Sequence, residues 1–123
     1  GNITALRQAS TNTVQARSVL QTADGALSRV GDILQRMKAL ATQSNSGSVD
    51  ATARGFINTE YQQLLTEIGS TATSTTFNNV ALITGAYNLN YQAGILATDI
   101  IAVDLTTVNA TVTGLGLNGS NVS

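Results

Sequence analysis

The first 44 residues carry a hydrophobic repeat of period seven. One row reads Leu6, Thr13, Leu20, Leu27, Leu34, Ala41, and a second, three residues on, reads Ala9, Ala16, Ala23, Val30, Met37, Ser44. These are the a and d rows of a heptad pattern held over five heptads. A third row, Val19, Ala26, Ile33, Leu40, precedes the a row by one residue. The pattern predicts one helix over residues 1–44, roughly 60 Å long at 1.5 Å per residue. Its apolar stripe is wider than a two-stranded seam needs. "QSNSGSVD" (43–50) reads as a turn, with Gly47 ending the first helix, Ser48 capping a second and Asp50 near its positive end. The second helix is expected over 49–69. Its inward stripe would be Ala53, Ile57, Tyr61, Leu64 and Ile68, with Glu60, Gln63 and Glu67 on the opposite side. A short connection makes the two an antiparallel hairpin.

Past Ser70 the helical period is lost. "STATSTTFNNVALITG" (70–85) reads as a loop with turns at Asn78-Asn79 and Gly85. "AYNLNYQ" (86–92) alternates and "TDIIAVDL" (98–105) is rich in β-formers, which together predict a β-hairpin over 86–105 joined by the five residues "AGILA". Residues 106–123 read as an irregular, flexible tail. The expected fold is mainly α with a small β part: a long-helix, coiled-coil-like antiparallel hairpin plus a β-hairpin, in a single domain. Two helices cannot cover a three-row stripe of this length, so part of it should meet a third helix, from a longer form of this chain or from another molecule. Val19, Ile33 and Leu40 are the expected packing positions.

Composition narrows the function. Charged residues make up 11% of the chain and net charge is −1, against about 25% charged residues in an average soluble domain. Six Lys and Arg are scattered, which argues against nucleic-acid binding. A polar, weakly charged surface tolerates close packing against neighbours. With neither His nor Cys, a nucleophile–base pair and a thiolate or imidazole zinc site both lack their groups. Asp99 and Asp104 fall on opposite faces of a strand, and Glu60 and Glu67 lie two helical turns apart, so neither pair suits acid–base work. "GLGLNG" (114–119) follows no parallel strand and opens no helix, so it is no phosphate loop. No enzyme activity, cofactor or metal is expected. No stretch approaches the ~20 apolar residues of a membrane span. The opening "GNITALRQ" lacks Met and a signal-peptide core and starts in mid-pattern, so the chain reads as part of a longer one.

Three stretches together resemble bacterial flagellin. "QTADGALSRVGDILQRMKALATQSNSG" (21–47) is similar to the family's block of Gly-Ala-Leu followed by Leu-Gln-Arg-hydrophobic-Arg-Glu-Leu-Ala. "LLTEIGSTATSTTFNNVALITG" (64–85) resembles its second helix and following loop, with Phe77-Asn78-Asn79-Val80 where Phe-Asn-Gly-hydrophobic is usual. "TVTGLGL" (111–117) also follows the pattern. The resemblance implies a structural subunit of the extracellular flagellar filament, exported and self-assembling through long helices. It implies other flagellin subunits as partners, and an export chaperone and a filament cap. It further implies recognition by Toll-like receptor 5, through positions that fall on Arg36, Leu40 and Glu60. Ala39 and Lys38 stand where the family has Glu and Arg; Lys keeps the charge without the bidentate fork. Two other readings compete. One is a hook–filament junction protein, which shares the long helices. The other is a flagellin-like surface receptor or adhesin, in which Tyr87 and Tyr91 would stack on a sugar.

Overall fold

The computed structural model describes all 123 residues. Two helices, α1 (Asn2–Ser44) and α2 (Ala51–Ser74), make up more than half the chain and lie antiparallel. Four short strands follow: β1 (Thr76–Phe77), β2 (Val80–Ala81), β3 (Asn88–Gln92) and β4 (Ile100–Asp104). They form two separate antiparallel pairs, β1 with β2 and β3 with β4. The mainly α fold with a small β part is therefore the one observed.

The heptad helix is continuous because nothing in it breaks the backbone ladder; the chain has no Pro. It ends at Asn45, whose N–H donates to Ala41 O. Gly47 keeps a negative φ and takes no left-handed cap role. The cap of α2 is Asp50, not Ser48: its carboxylate accepts the Ala53 N–H at 2.8 Å, which satisfies one of the orphan donors of the first turn. Arg54 fastens the connection, its guanidinium donating to Ser44 O and Val49 O.

α2 runs five residues beyond the expected end at 69. Gly69 does not stop it, because Ala72 in the next turn is fully buried beside Leu82 and Ile83. Of the Thr residues that suggested a loop, Thr73 stays helical with its hydroxyl satisfied by Gly69 O, and Thr75 caps the end of α2 in extended conformation, its N–H and hydroxyl both donating to Thr71 O. The inward stripe of α2 is Ile57, Tyr61, Leu65, Ile68 and Ala72; Leu65 takes the place expected for Leu64, and Ala53 is only half-buried.

Asn78 and Asn79 form the two-residue turn between β1 and β2, with φ of 51° and 65°. Asn tolerates this left-handed region better than most residues. In the larger hairpin, Leu89 pairs with Val103 and Tyr91 with Ile101. Its connection is seven residues, not five, because Asp99 folds Thr98 and itself into the turn. Asp99 O accepts the Ala93 N–H at 2.7 Å and its carboxylate accepts the Leu96 N–H. Gly94 packs so tightly on Asp99 that a Cβ would lie 2.5 Å from its carboxylate.

The core has two parts strung along α1. Toward its N-terminal half, Ala16, Val19 and Ala23 lie under Tyr87, Tyr91, Val103, Leu82 and Ile83. The small Ala side chains leave room for the two tyrosines, whose hydroxyls bond at 2.7 Å. Toward its C-terminal half, Val30, Ile33, Met37 and Leu40 interleave with Ile57, Tyr61, Leu65 and Ile68 of α2. The tail has no regular element, yet it is packed. Ala110 is buried and donates to Ile83 O, and Thr84 bridges to Asn109. Val112, Leu115, Leu117 and Val122 then lie along the second core.

Candidate assembly surface

The faces of α1 divide sharply. Every d-row residue from Ala9 to Ser44 is buried, and Val19, Ile33 and Leu40 of the third row are 0%, 6% and 1% exposed. These three, expected at seams between molecules, are instead covered by the chain's own α2, hairpin and tail. A side chain already sealed in this way has no surface to offer a partner, so that assignment is corrected. The uncovered row is the a row, which the repeat alone would place in the core. Leu6, Leu20 and Leu27 are 51%, 47% and 36% exposed, Thr13 lies half-buried between them, and Leu34 follows, half-buried. From Leu6 to Leu34 the row runs roughly 42 Å. Ile3 and Val14 add exposed apolar surface near its N-terminal end.

At Leu34 the row runs into a recess of about 210 Å³, lined by Leu34, Met37, Lys38, Ala41, Tyr61 and Leu117. A larger, polar recess of about 550 Å³ lies at the helix–helix connection, between Ser44, Asn45, Arg54 and the last residues of the tail. Arg54 is already committed there to two backbone carbonyls.

Arg36 and Glu60 are brought together. Arg36 Nε and Nη2 donate to the two carboxylate oxygens of Glu60, each at 2.9 Å. Seven residues away on each helix, Arg29 pairs with Glu67. Both glutamates therefore flank the seam with α1 instead of facing away from it, and Arg36 finds its carboxylate within its own chain, not on a neighbour. The hydrogen bond from Arg36 holds the Glu60 carboxyl below its usual range, and the same bond raises the guanidinium. Both side chains remain about half exposed, so the pair adds little to stability and presents a fixed polar feature at the surface. Leu40 lies beneath the surface that these residues form.

Tyr87 and Tyr91 are buried, 3% and 7% exposed. Burial, and then the bond to Tyr91, pushes the Tyr87 phenol up to about 12. Neither ring face is open to a sugar, so the stacking role considered for them is withdrawn. No group of acidic residues is placed to hold a metal, and no helix is long and apolar enough to cross a membrane.

Comparison with known proteins gives a consistent result. The profile of the bacterial flagellin N-terminal helical region matches residues 1–88. The flagellin of Listeria monocytogenes is 40% identical over 107 residues, covering 83% of this chain and 37% of that protein. The flagellin of Salmonella enteritidis is 34% identical over 122 residues, covering 99% of this chain and 24% of that protein. The solved structure of FliC from Burkholderia pseudomallei superposes with a TM-score of 0.71 at 30% identity, over 78% of this chain and 37% of that one. The chain thus spans between about a quarter and two-fifths of the length of these relatives.

Proposed function

The chain belongs to the bacterial flagellin family, and from that premise we propose that it is part of a structural, non-enzymatic subunit of an extracellular flagellar filament that serves motility. Assembly proceeds through the uncovered leucine row of α1. The observation that carries this reading is the combination of a sealed d row with an a row left about half in water at Leu6 and Leu20. Isolated surface leucines are ordinary; a row of them on one helical shoulder, in steps of seven, fits the side of another long helix. Other subunits are the principal partners. The export chaperone and the filament cap are partners that the family implies for the full-length protein. The resemblance to flagellins supports a filament subunit over a hook–filament junction protein, and the burial of Tyr87 and Tyr91 speaks against a sugar-binding adhesin.

The test is a Leu20→Asp, Leu27→Asp variant of the full-length protein, followed by electron microscopy and circular dichroism. Helicity is kept and filaments are lost. Normal filaments from that variant would overturn the assignment of the row.

A second contact rests on the exposed Arg36–Glu60 pair. Its fixed geometry and open flank make it a candidate docking point for a neighbouring subunit and for Toll-like receptor 5; Leu40, being buried, contributes to neither directly. Arg36→Ala should weaken subunit association, receptor activation or both. If polymerisation and receptor signalling both match the parent protein, the pair is a surface feature only.

A further inference from the structure

The tail is held to the helices by a small set of anchors on either side of one turn. Leu117 lines the apolar recess. Beyond the turn, Ser120 O accepts from Gln62 Nε2 at 2.9 Å, the Ser120 hydroxyl accepts from the Tyr61 hydroxyl at 3.0 Å, and the Val122 N–H donates to Asn58 Oδ1 at 3.1 Å. The turn is Leu117–Ser120, closed by the Ser120 N–H donating to Leu117 O at 3.0 Å. Its corners are Asn118 and Gly119, both exposed, with Gly119 at φ +76°. This is the only Asn-Gly pair in the chain. The Asn118 carboxamide makes no hydrogen bond within the chain, and the Gly119 N–H donates to no acceptor. A Cβ at 119 would meet nothing within 4 Å.

We infer that Asn118 is a site of spontaneous deamidation, and that the isoaspartyl product releases the segment Ser120–Val122 from the helices. The Gly119 amide nitrogen, after losing its proton to hydroxide, attacks Cγ of Asn118. A C–N bond forms, the side-chain nitrogen leaves as ammonia, and a five-membered succinimide ring remains. Water then opens the ring at one of its two carbonyls. One opening restores the backbone with aspartate at 118. The other routes the chain through the side chain as isoaspartate, with one extra methylene in the backbone. Water is consumed, ammonia is released, and no electrons are transferred. Ring closure needs the Asn118–Gly119 peptide to rotate out of the turn, and glycine makes that rotation cheap.

The other asparagines are less well placed. Asn109 Oδ1 is tied to the Thr111 N–H and hydroxyl, and Asn58 Oδ1 to Gln62 and Val122. Asn79 precedes the branched Val80. Asn45 precedes Ser46, whose N–H is engaged with Gln43 O. At 118 the consequence is also largest. A lengthened backbone between Leu117 and Ser120 cannot keep the recess contact and the Tyr61, Gln62 and Asn58 bonds in register together, and either product adds a negative charge. None of this depends on the filament reading.

The test is incubation of the folded protein at mildly alkaline pH, beside a free Leu-Asn-Gly-Ser peptide. Peptide mass mapping and isoaspartyl methyltransferase labelling would follow, with hydrogen exchange on the separated isoaspartyl form. Residue 118 should convert ahead of Asn45, and the Asn118→Gln variant should lose the product while keeping its fold. The isoaspartyl form should lose exchange protection at the Ser120 and Val122 amides. The site is overturned if Asn118 stays intact while the free peptide converts completely. Release of the tail is overturned if the isoaspartyl form keeps its Val122 protection.

Discussion

Leu40 and Leu20 lie on the same helix and differ almost entirely in what covers them, so truncating each to Ala separates the core of the chain from its proposed assembly surface. Leu40 is 1% exposed and packed between α1 and α2. Leu40→Ala leaves a cavity and should lower stability by about 2–5 kcal/mol. Leu20 is 47% exposed. Full burial of a leucine is worth about 1.5–3 kcal/mol, and half of that surface is in water already, so Leu20→Ala should cost the chain only about 1 kcal/mol. No cavity term applies, because solvent fills the space. The order reverses in assembly. Leu6, Leu20 and Leu27 together expose about one and a third leucines' worth of surface, which is worth roughly 2–4 kcal/mol per subunit if a partner covers it all. A triple Ala variant should therefore need roughly 30- to 1000-fold more protein to polymerise, at 1.4 kcal/mol per factor of ten. Urea unfolding read by circular dichroism measures the first quantity, and the critical concentration of the full-length protein measures the second. If Leu20→Ala destabilises the chain as much as Leu40→Ala, or if the triple variant polymerises at the parent concentration, the division of α1 into a sealed and an open face is refuted.

Further predictions follow from single contacts. Because the Tyr87 phenol titrates near 12 when folded against 10 when free, the unfolded chain releases that proton first. Stability is full below pH 10 and falls as pH rises through the window to 12, by on the order of 2–3 kcal/mol. Urea midpoints stepped through that window should show the slope, and Tyr87→Phe should remove its share. Asn79→Val places a branched residue at φ 65° and should cost about 1–2 kcal/mol, read from the thermal midpoint. At Gly114 an added Cβ would lie 2.3–2.7 Å from Asn109 side-chain and carbonyl atoms, so Gly114→Ala should cost about 1–3 kcal/mol and loosen the tail in hydrogen exchange. Asp50→Ala removes the α2 cap and should cost about 0.5–2 kcal/mol in chemical denaturation.

Much of the fold was readable because periodicity reports burial directly. The long helix, the antiparallel second helix and the larger hairpin all follow from period-seven, helical and alternating patterns. What the pattern could not rank was its own rows. A heptad with three apolar rows names the stripe without saying which row the chain itself covers. The d row is rich in Ala toward the N-terminus, where these small residues lie under Tyr87 and Tyr91, while Leu6 and Leu20 stand exposed on the shoulder. The end of α2 was hidden because Thr and Ser are poor formers of helix interiors, and only the burial of Ala72 in the fold overrides that preference. The ion pairs depend on the relative rotation of two helices, which the sequence of either one does not contain.

The register of the leucine row, open before the junction of the two cores, continues beyond it. Along its N-terminal half α1 is covered by the hairpin, and along its C-terminal half by α2 and the tail. Leu6, Leu20 and Leu27 are exposed and keep steps of seven or fourteen, and Leu34 continues the register past the junction, half-buried against the second core. A straight α-helix drifts about 20° per heptad against such a repeat, so a partner following the row must wind slowly around α1. A second long helix does this at the shallow crossing angle of coiled-coil packing, whereas a compact globular partner would touch one or two of the leucines and leave the others wet. On the proposed reading the spacing therefore constrains the shape of the partner as well as its side, and a long helix of like period is the shape that a filament of repeated helical subunits would supply.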